Sequence, residues 1–260
     1  MLSSKKKIHF IGIGGIGMSG IAELLFNLGF IISGSDIKKS DRTTKLLSLG
    51  IEISFNHKED NIKTPDVVVY SSAVDNNNVE ILASKKKEIP VIRRAEMLGE
   101  LLKLKKISIA IAGSHGKTTT CSILGMILAE AKLQPTLVIG GIVKNIDSNS
   151  ILGEGDIIVV EADEFDRSFL SLKPTMGIIN NLDLEHLDYY KNIQEIKNAF
   201  LTFANLFPFY GILGVCCDDR YINEILPDLN RPIKKFGFDE TATVCTPPKY
   251  PEPAEARLTV

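Results

Sequence analysis

Cysteine is scarce in this 260-residue sequence. Its four cysteines, at 121, 216, 217 and 245, show no paired spacing of the kind that builds a disulfide framework or a zinc site. A reducing, cytoplasmic setting is expected. An excess of either charge is missing as well: 30 Lys and Arg stand against 32 Asp and Glu, for a net charge of -2. With no basic surplus to hold a phosphate backbone, nucleic acid is not an expected partner. No apolar run approaches the ~18 residues of a membrane span, so no membrane partner is expected either. Lys5-Lys6-Lys7 precedes an apolar stretch, but that stretch carries His9 and glycines at 12, 14, 15, 17 and 20 and lacks a small-residue cleavage site. This argues against a secretory signal.

With 44% hydrophobic and 24% charged residues, the chain is too apolar and too mixed in charge to be disordered or low-complexity. Its length suggests about two domains. Short buried-strand patterns alternate with helical periodicity from Ile8 onward: strands at 8–13, 30–32, 67–70 and 91–92, helices at 16–28, 43–49, 79–86 and 95–104. Such alternation predicts a parallel sheet covered by helices, a doubly wound α/β domain resembling dinucleotide-binding folds. After Lys103-Leu104-Lys105-Lys106 a second α/β unit begins, with strands at 107–112, 136–139, 157–160, 176–179 and 212–216 and helices at 117–131, 193–207 and 220–226. The expected division is 1–104, 105–242 and an irregular tail, 243–260, which holds four of the eleven prolines and shows no periodicity.

Gly12-Ile13-Gly14-Gly15-Ile16-Gly17 lies between a strand and a helix, and Asp36 follows nineteen residues after its last glycine. Glycines here allow a tight turn and close approach of backbone N–H groups to a pyrophosphate at a helix N-terminus. The pattern leaves NAD, FAD and a nucleotide sugar open. Gly113-Ser114-His115-Gly116-Lys117-Thr118-Thr119 occupies the same context. It is a shortened phosphate loop, because the usual first glycine would fall at 111, which is isoleucine. Lys117 is expected to reach the β- and γ-phosphates of ATP, and Thr118 to offer its hydroxyl to magnesium. Glu161, which closes the strand at 157–160, is a candidate magnesium ligand at a strand end beside a phosphate loop. Asn180 to Asp188, containing His186, forms a third polar strand end converging on the same edge.

These four ordered motifs resemble the Mur ligases of bacterial peptidoglycan synthesis over about residues 5–243. Within that family the opening Ile8 to Gly20 looks like the members that join L-alanine to UDP-N-acetylmuramate. The resemblance implies a UDP-N-acetylmuramate-binding domain followed by an incomplete P-loop, ATPase-like α/β domain. Gly12, Gly14, Gly15 and Gly17 would bind the pyrophosphate, with Asp36, His57, Ser71 and Ser72 near the uridine, pyrophosphate or sugar. Gly113 to Thr119 would bind ATP, and Thr118, Glu161 and His186 would hold magnesium, with Lys117, Glu161 and His186 catalytic. Asn56 and Glu185 depart from the family pattern, where glycine and aspartate are more usual. The family's third, C-terminal domain has no counterpart in the sequence, so the chain alone is expected to bind ligands without ligating them. The implied reaction activates the lactyl carboxylate as an acyl phosphate. Two rivals are a non-catalytic nucleotide or UDP-sugar-binding module and a nicotinamide-dependent oxidoreductase, which would leave the loop at 113–119 without a purpose.

Overall fold

A computed structural model describes residues 6–143, 148–165, 167–185, 189–238 and 242–245, with the backbone alone at 141–143, 148, 149 and 245. By compactness the chain divides into Met1–Lys105 with Leu128–Asp156, and Lys106–Ile127 with Ile157–Val260. Both are α/β.

The N-terminal sheet comprises β1 (Lys7–Ile11), β2 (Ile31–Ser35), β3 (Glu52–Ser54), β4 (Val67–Tyr70) and β5 (Val91–Arg93). Their order is β3-β2-β1-β4-β5, and every pairing is parallel. β1 is central because Ile8, His9, Phe10 and Ile11 are all buried, as a strand covered on both faces requires. From β1 the chain runs outward first on one side and later on the other. The loop after β1 therefore sits at a topological switch point, where the crevice of an open α/β sheet lies. Helices α1 (Ile16–Asn27), α2 (Asp41–Ser48), α3 (Val79–Lys86) and α4 (Arg94–Leu102) connect the strands. α1 buries Met18, Ile21, Leu24 and Leu25 and starts from Gly15, which gives it no side-chain cap. α2 has a capping box between Ser40 and Thr43, and the Asn78 side chain accepts the Glu80 N–H at the start of α3.

The remaining elements are β6 (Ile107–Ala112), α5 (Lys117–Glu130), β7 (Thr136–Val143), β8 (Ser148–Ile151), β9 (Ile157–Glu161), β10 (Met176–Ile179), α6 (Ile193–Asn205), β11 (Ile212–Cys216), α7 (Arg220–Ile225), β12 (Ile233–Gly237) and β13 (Val244–Cys245). In the second unit the strand order is β13-β12-β11-β10-β6-β9. Its pairings are parallel, including Ile111 opposite Glu161 and Ala112 opposite Ile179. Under β10 and β11, Phe169, Phe200, Phe203 and Phe207 form a chain of ring contacts, all four buried. β7 and β8 form an antiparallel pair with Leu137 opposite Ile151. Within the stretch expected to be irregular, the backbone of Val244 and Cys245 pairs with the edge of β12, and 246–260 lie outside the described residues.

Candidate functional site

The loop between β6 and α5 is shaped by two glycines in the left-handed region, Gly113 at φ +135° and Gly116 at φ +77°. A Cβ on Gly113 would come within 3.0 Å of the Asn180 Cβ and 3.1 Å of the Asn181 nitrogen. Only glycine lets the loop lie this close to the end of β10. Asn180 and Asn181 strap it in place. His115 N–H donates to Asn181 Oδ1 at 2.7 Å, and Ser114 N–H donates to the Asn181 carbonyl at 3.1 Å. The Asn180 amide donates to Thr120 Oγ1 at 3.1 Å, and the Asp183 N–H donates to Ser114 Oγ at 2.8 Å.

Lys117 is held at the start of α5. Its Nζ donates to the Gly113 carbonyl at 2.7 Å and pairs with both carboxylate oxygens of Glu164, at 3.0 and 2.9 Å. Glu164 is buried. Burial pushes its carboxyl above the ordinary range, and the ion pair with Lys117 pulls the other way. One residue along, Thr118 Oγ1 donates to Glu161 Oε2 at 3.0 Å. A hydroxyl and a carboxylate so close together form a hard oxygen pair suited to magnesium. His115 lies 3.5 Å from Asp183 Oδ2 and 3.7 Å from Glu185 Oε1, a half-exposed arrangement at the rim. Behind the loop, burial pushes the Cys121 thiol up, which leaves it protonated and inert.

In the N-terminal unit the glycine turn opens onto a cleft of about 540 Å³ lined by Gly12, Gly14, Gly15, Asp36, His57 and Ser71, among others. Gly12 has φ +77°. Asp36 Oδ2 accepts the Gly14 N–H at 2.8 Å, and a Cβ on Gly14 would meet that same oxygen at 2.8 Å. Arg42 Nε donates to the Gly14 carbonyl at 2.7 Å, bringing a guanidinium to the rim. The start of α1, which has no side-chain cap, follows directly, so the positive end of its dipole faces this turn.

Two family descriptions match the chain, "Mur ligase family, catalytic domain" over residues 7–106 and "Mur ligase middle domain" over residues 111–252. The chain belongs to the Mur ligase family. A curated relative, the UDP-N-acetylmuramate--L-alanine ligase of Syntrophus aciditrophicus (strain SB), is 52% identical over 237 residues, 91% of this chain and 49% of that protein. The chain thus spans about half the length of the curated relatives it matches. Among solved structures, the UDP-N-acetylmuramate:L-alanyl-gamma-D-glutamyl-meso-diaminopimelate ligase from Neisseria meningitides aligns with a TM-score of 0.83 at 27% identity, covering 92% of this chain and 79% of that one. The UDP-N-acetylmuramate-alanine ligase from Thermotoga maritima aligns with a TM-score of 0.78 at 32% identity, covering 93% of this chain and 54% of that one.

In this Mur ligase chain, the residues expected at the first site mostly converge. Gly17 and Ser72 are not among those lining the cleft: Gly17 packs against the Arg94 side chain, and Ser72 is exposed. At the phosphate loop, Gly113 to Thr119, Glu161 and the strand end at Asn180 come together, whereas His186 lies outside the described residues. Among the described residues no group of three His, Cys, Asp or Glu side chains is arranged to hold a metal. Sequence reasoning did not assign roles to Glu164, Asn180, Asn181 or Arg42. Glu164 and the asparagines stand inside recognised motifs, so their types were visible while their partners were not. Arg42 gave no signal.

Proposed function

We propose that the chain is the nucleotide-binding part of a ligase that joins L-alanine to the lactyl carboxylate of UDP-N-acetylmuramate with consumption of ATP, in peptidoglycan precursor synthesis. The observation that carries this reading is the pairing of a glycine-turn cleft with a lysine-bearing phosphate loop in one chain that is 52% identical to a relative bearing that name. An oxidoreductase would need only the first. L-Alanine is preferred over the peptide in the Neisseria neighbour's name because identity to that neighbour is 27%. Residues 1–104 would bind the UDP-sugar and residues 105–242 would bind ATP. The setting would be the cytoplasm, where Cys121, Cys216 and Cys217, which form no disulfide here, would stay reduced.

In this reading a lactyl carboxylate oxygen forms a bond to the γ-phosphorus of ATP as the bond to the β,γ-bridging oxygen breaks. ADP leaves and an acyl phosphate forms. The alanine amine, as neutral NH2, then adds to the acyl carbon, and the tetrahedral adduct gives one N–H proton to solvent and expels phosphate, leaving the amide with its single N–H. Lys117 would turn from Glu164 to the γ-phosphate, where negative charge accumulates. Backbone N–H groups of Gly113 to Thr118 would cradle the other phosphates. Thr118 and Glu161 would hold a magnesium ion, which supplies positive charge to screen the phosphate oxygens. His186 is proposed as a further ligand.

Incubation of the chain with ATP, magnesium and UDP-N-acetylmuramate, with hydroxylamine in place of alanine, tests the first half-reaction. Hydroxamate formation that depends on all three components is expected. ATP and UDP-N-acetylmuramate that both fail to bind would reject the reading.

A further inference from the structure

Beneath the glycine-turn cleft lies an acid that the proposed function does not use. Glu80, in the first turn of α3, is fully buried. Its Oε2 accepts the hydroxyl of Ser35 from the end of β2, and its Oε1 accepts the Asn61 amide and the Lys58 backbone N–H. Two imidazoles flank it: His9 Nε2 at 3.6 Å and His57 Nδ1 at 3.4 Å from Oε2. Among the described residues no lysine or arginine side chain pairs with Glu80. Burial pushes the carboxyl up, but the His9 imidazole beside it and hydrogen bonds from Ser35 and Asn61 outweigh it and bring the value down to about 2. The acid is therefore ionised, and an ionised carboxylate only accepts.

That fixes the protons around it. Ser35 has one hydroxyl proton, and it lies on the bond to Glu80. Ser35 Oγ, 3.1 Å from His57 Nδ1, must then accept from that nitrogen. Nδ1 of His57 carries a proton, and Nε2 is the ring nitrogen left for the cleft that His57 lines. His9 is differently placed: its Nδ1 is 2.9 Å from Ser33 Oγ, and its Nε2 is buried without a hydrogen-bond partner. The other charged side chains lining the cleft are Asp36, Lys38, Lys39, Arg42 and Asp75, a cationic surplus suited to an anion.

We propose that Glu80 is a positioning residue for the cleft: through Ser35 it fixes the His57 ring with Nδ1 as the donor, which leaves Nε2 to accept from a hydroxyl of the ligand. This rests on reading the cleft as the site of a nucleoside diphosphate sugar. Because the carboxylate is set by β2, α3 and the segment at 58–61, the ring is oriented before ligand arrives, which limits the ordering cost of binding.

The test uses the 260-residue chain. Long-range 1H–15N spectra read the ring nitrogens of His57 with and without UDP-N-acetylmuramate. The same ligand is titrated calorimetrically into wild type, Glu80→Gln, His57→Ala and the double variant. Wild type should show a protonated Nδ1 and an unprotonated Nε2 before ligand is added, and the Nε2 signal should shift when ligand binds. Glu80→Gln should weaken binding roughly tenfold, as the loss of a hydrogen bond does, and should add nothing in the His57→Ala background. An unprotonated Nδ1 in wild type would overturn the proposal. So would a Glu80→Gln chain that binds as wild type does, or one whose loss is equally large without His57. If Glu80→Gln does not fold, Ser35→Ala removes the relay alone and should abolish the Nδ1–H signature. A wild type that binds no UDP-sugar would reject the reading of the cleft, and the ring spectra would then decide this proposal by themselves. Identical spectra in wild type and Glu80→Gln would end it.

Discussion

Lys117 and Glu164 show how a residue chosen for phosphate chemistry is kept folded without a phosphate. The ammonium offsets a carboxylate that burial would otherwise make hard to ionise. Lys117→Ala leaves that carboxylate alone, and breaking a buried pair costs about 3 kcal/mol. The sign follows from the raised value: native Glu164 holds its proton to higher pH than the unfolded chain does, so stability falls as pH rises. Denaturant titrations of Lys117→Ala should show the full loss at pH 8 and a smaller one at pH 5. Lys117→Met with Glu164→Gln should recover stability but not ATP affinity. A loss of equal size at both pH values would contradict the pairing.

Glu80 gives the opposite pH dependence. Its carboxyl is held at about 2 against an ordinary 4.5, so the unfolded chain takes up the proton first and stability drops as pH falls below 4.5. From pH 5 to pH 3 this one group should account for about 2 kcal/mol, the linkage expected for such a shift. The difference between wild type and Glu80→Gln in urea titrations at the two pH values measures it. From sequence Glu80 reads as a helix-start acid favoured by the dipole. Nothing local says that Ser35, His57 and Asn61, between 19 and 45 residues away, close over it.

At the scale of elements, strands that are mostly apolar, such as Ile107–Ala112 and Ile157–Glu161, were legible because central parallel strands are buried on both faces. β3, β12 and β13 were not. Glu52-Ile53-Ser54 is three residues long, Ile233–Gly237 carries Lys234 and Lys235, and β13 is a two-residue addition in a proline-rich region. Outer strands need less apolar surface, so their pattern fades. The glycine turns were legible as phosphate-binding patterns because each stands between a strand and a helix. What strapped the second one, Asn180 and Asn181, lies 65 to 67 residues further on and is reached only through sheet pairing. Gly113→Ala should therefore lower both stability, by about 1 kcal/mol or more, and ATP affinity, since φ +135° and the 3.0 Å approach to Asn180 both oppose a Cβ. Thermal melts and nucleotide titration check this. An alanine variant indistinguishable from wild type in both would show that the loop relaxes freely.

For the molecule as a whole, the glycine-turn cleft and the phosphate loop fall in different compact units. Each matches its own Mur ligase description. No helix among the described residues is long and apolar enough to cross a membrane. The measurement closest to the central claim is a pair of calorimetric titrations, UDP-N-acetylmuramate and magnesium ATP, into wild type, Gly14→Val and Lys117→Ala. A valine at 14 would collide with Asp36 and Thr43 and fill the space beside the turn. The expected result is that wild type binds both ligands, Gly14→Val loses only the UDP-sugar, and Lys117→Ala loses only ATP. A wild type that binds NAD at the glycine turn in place of UDP-N-acetylmuramate, or variants that bind both ligands as tightly as wild type, would contradict it.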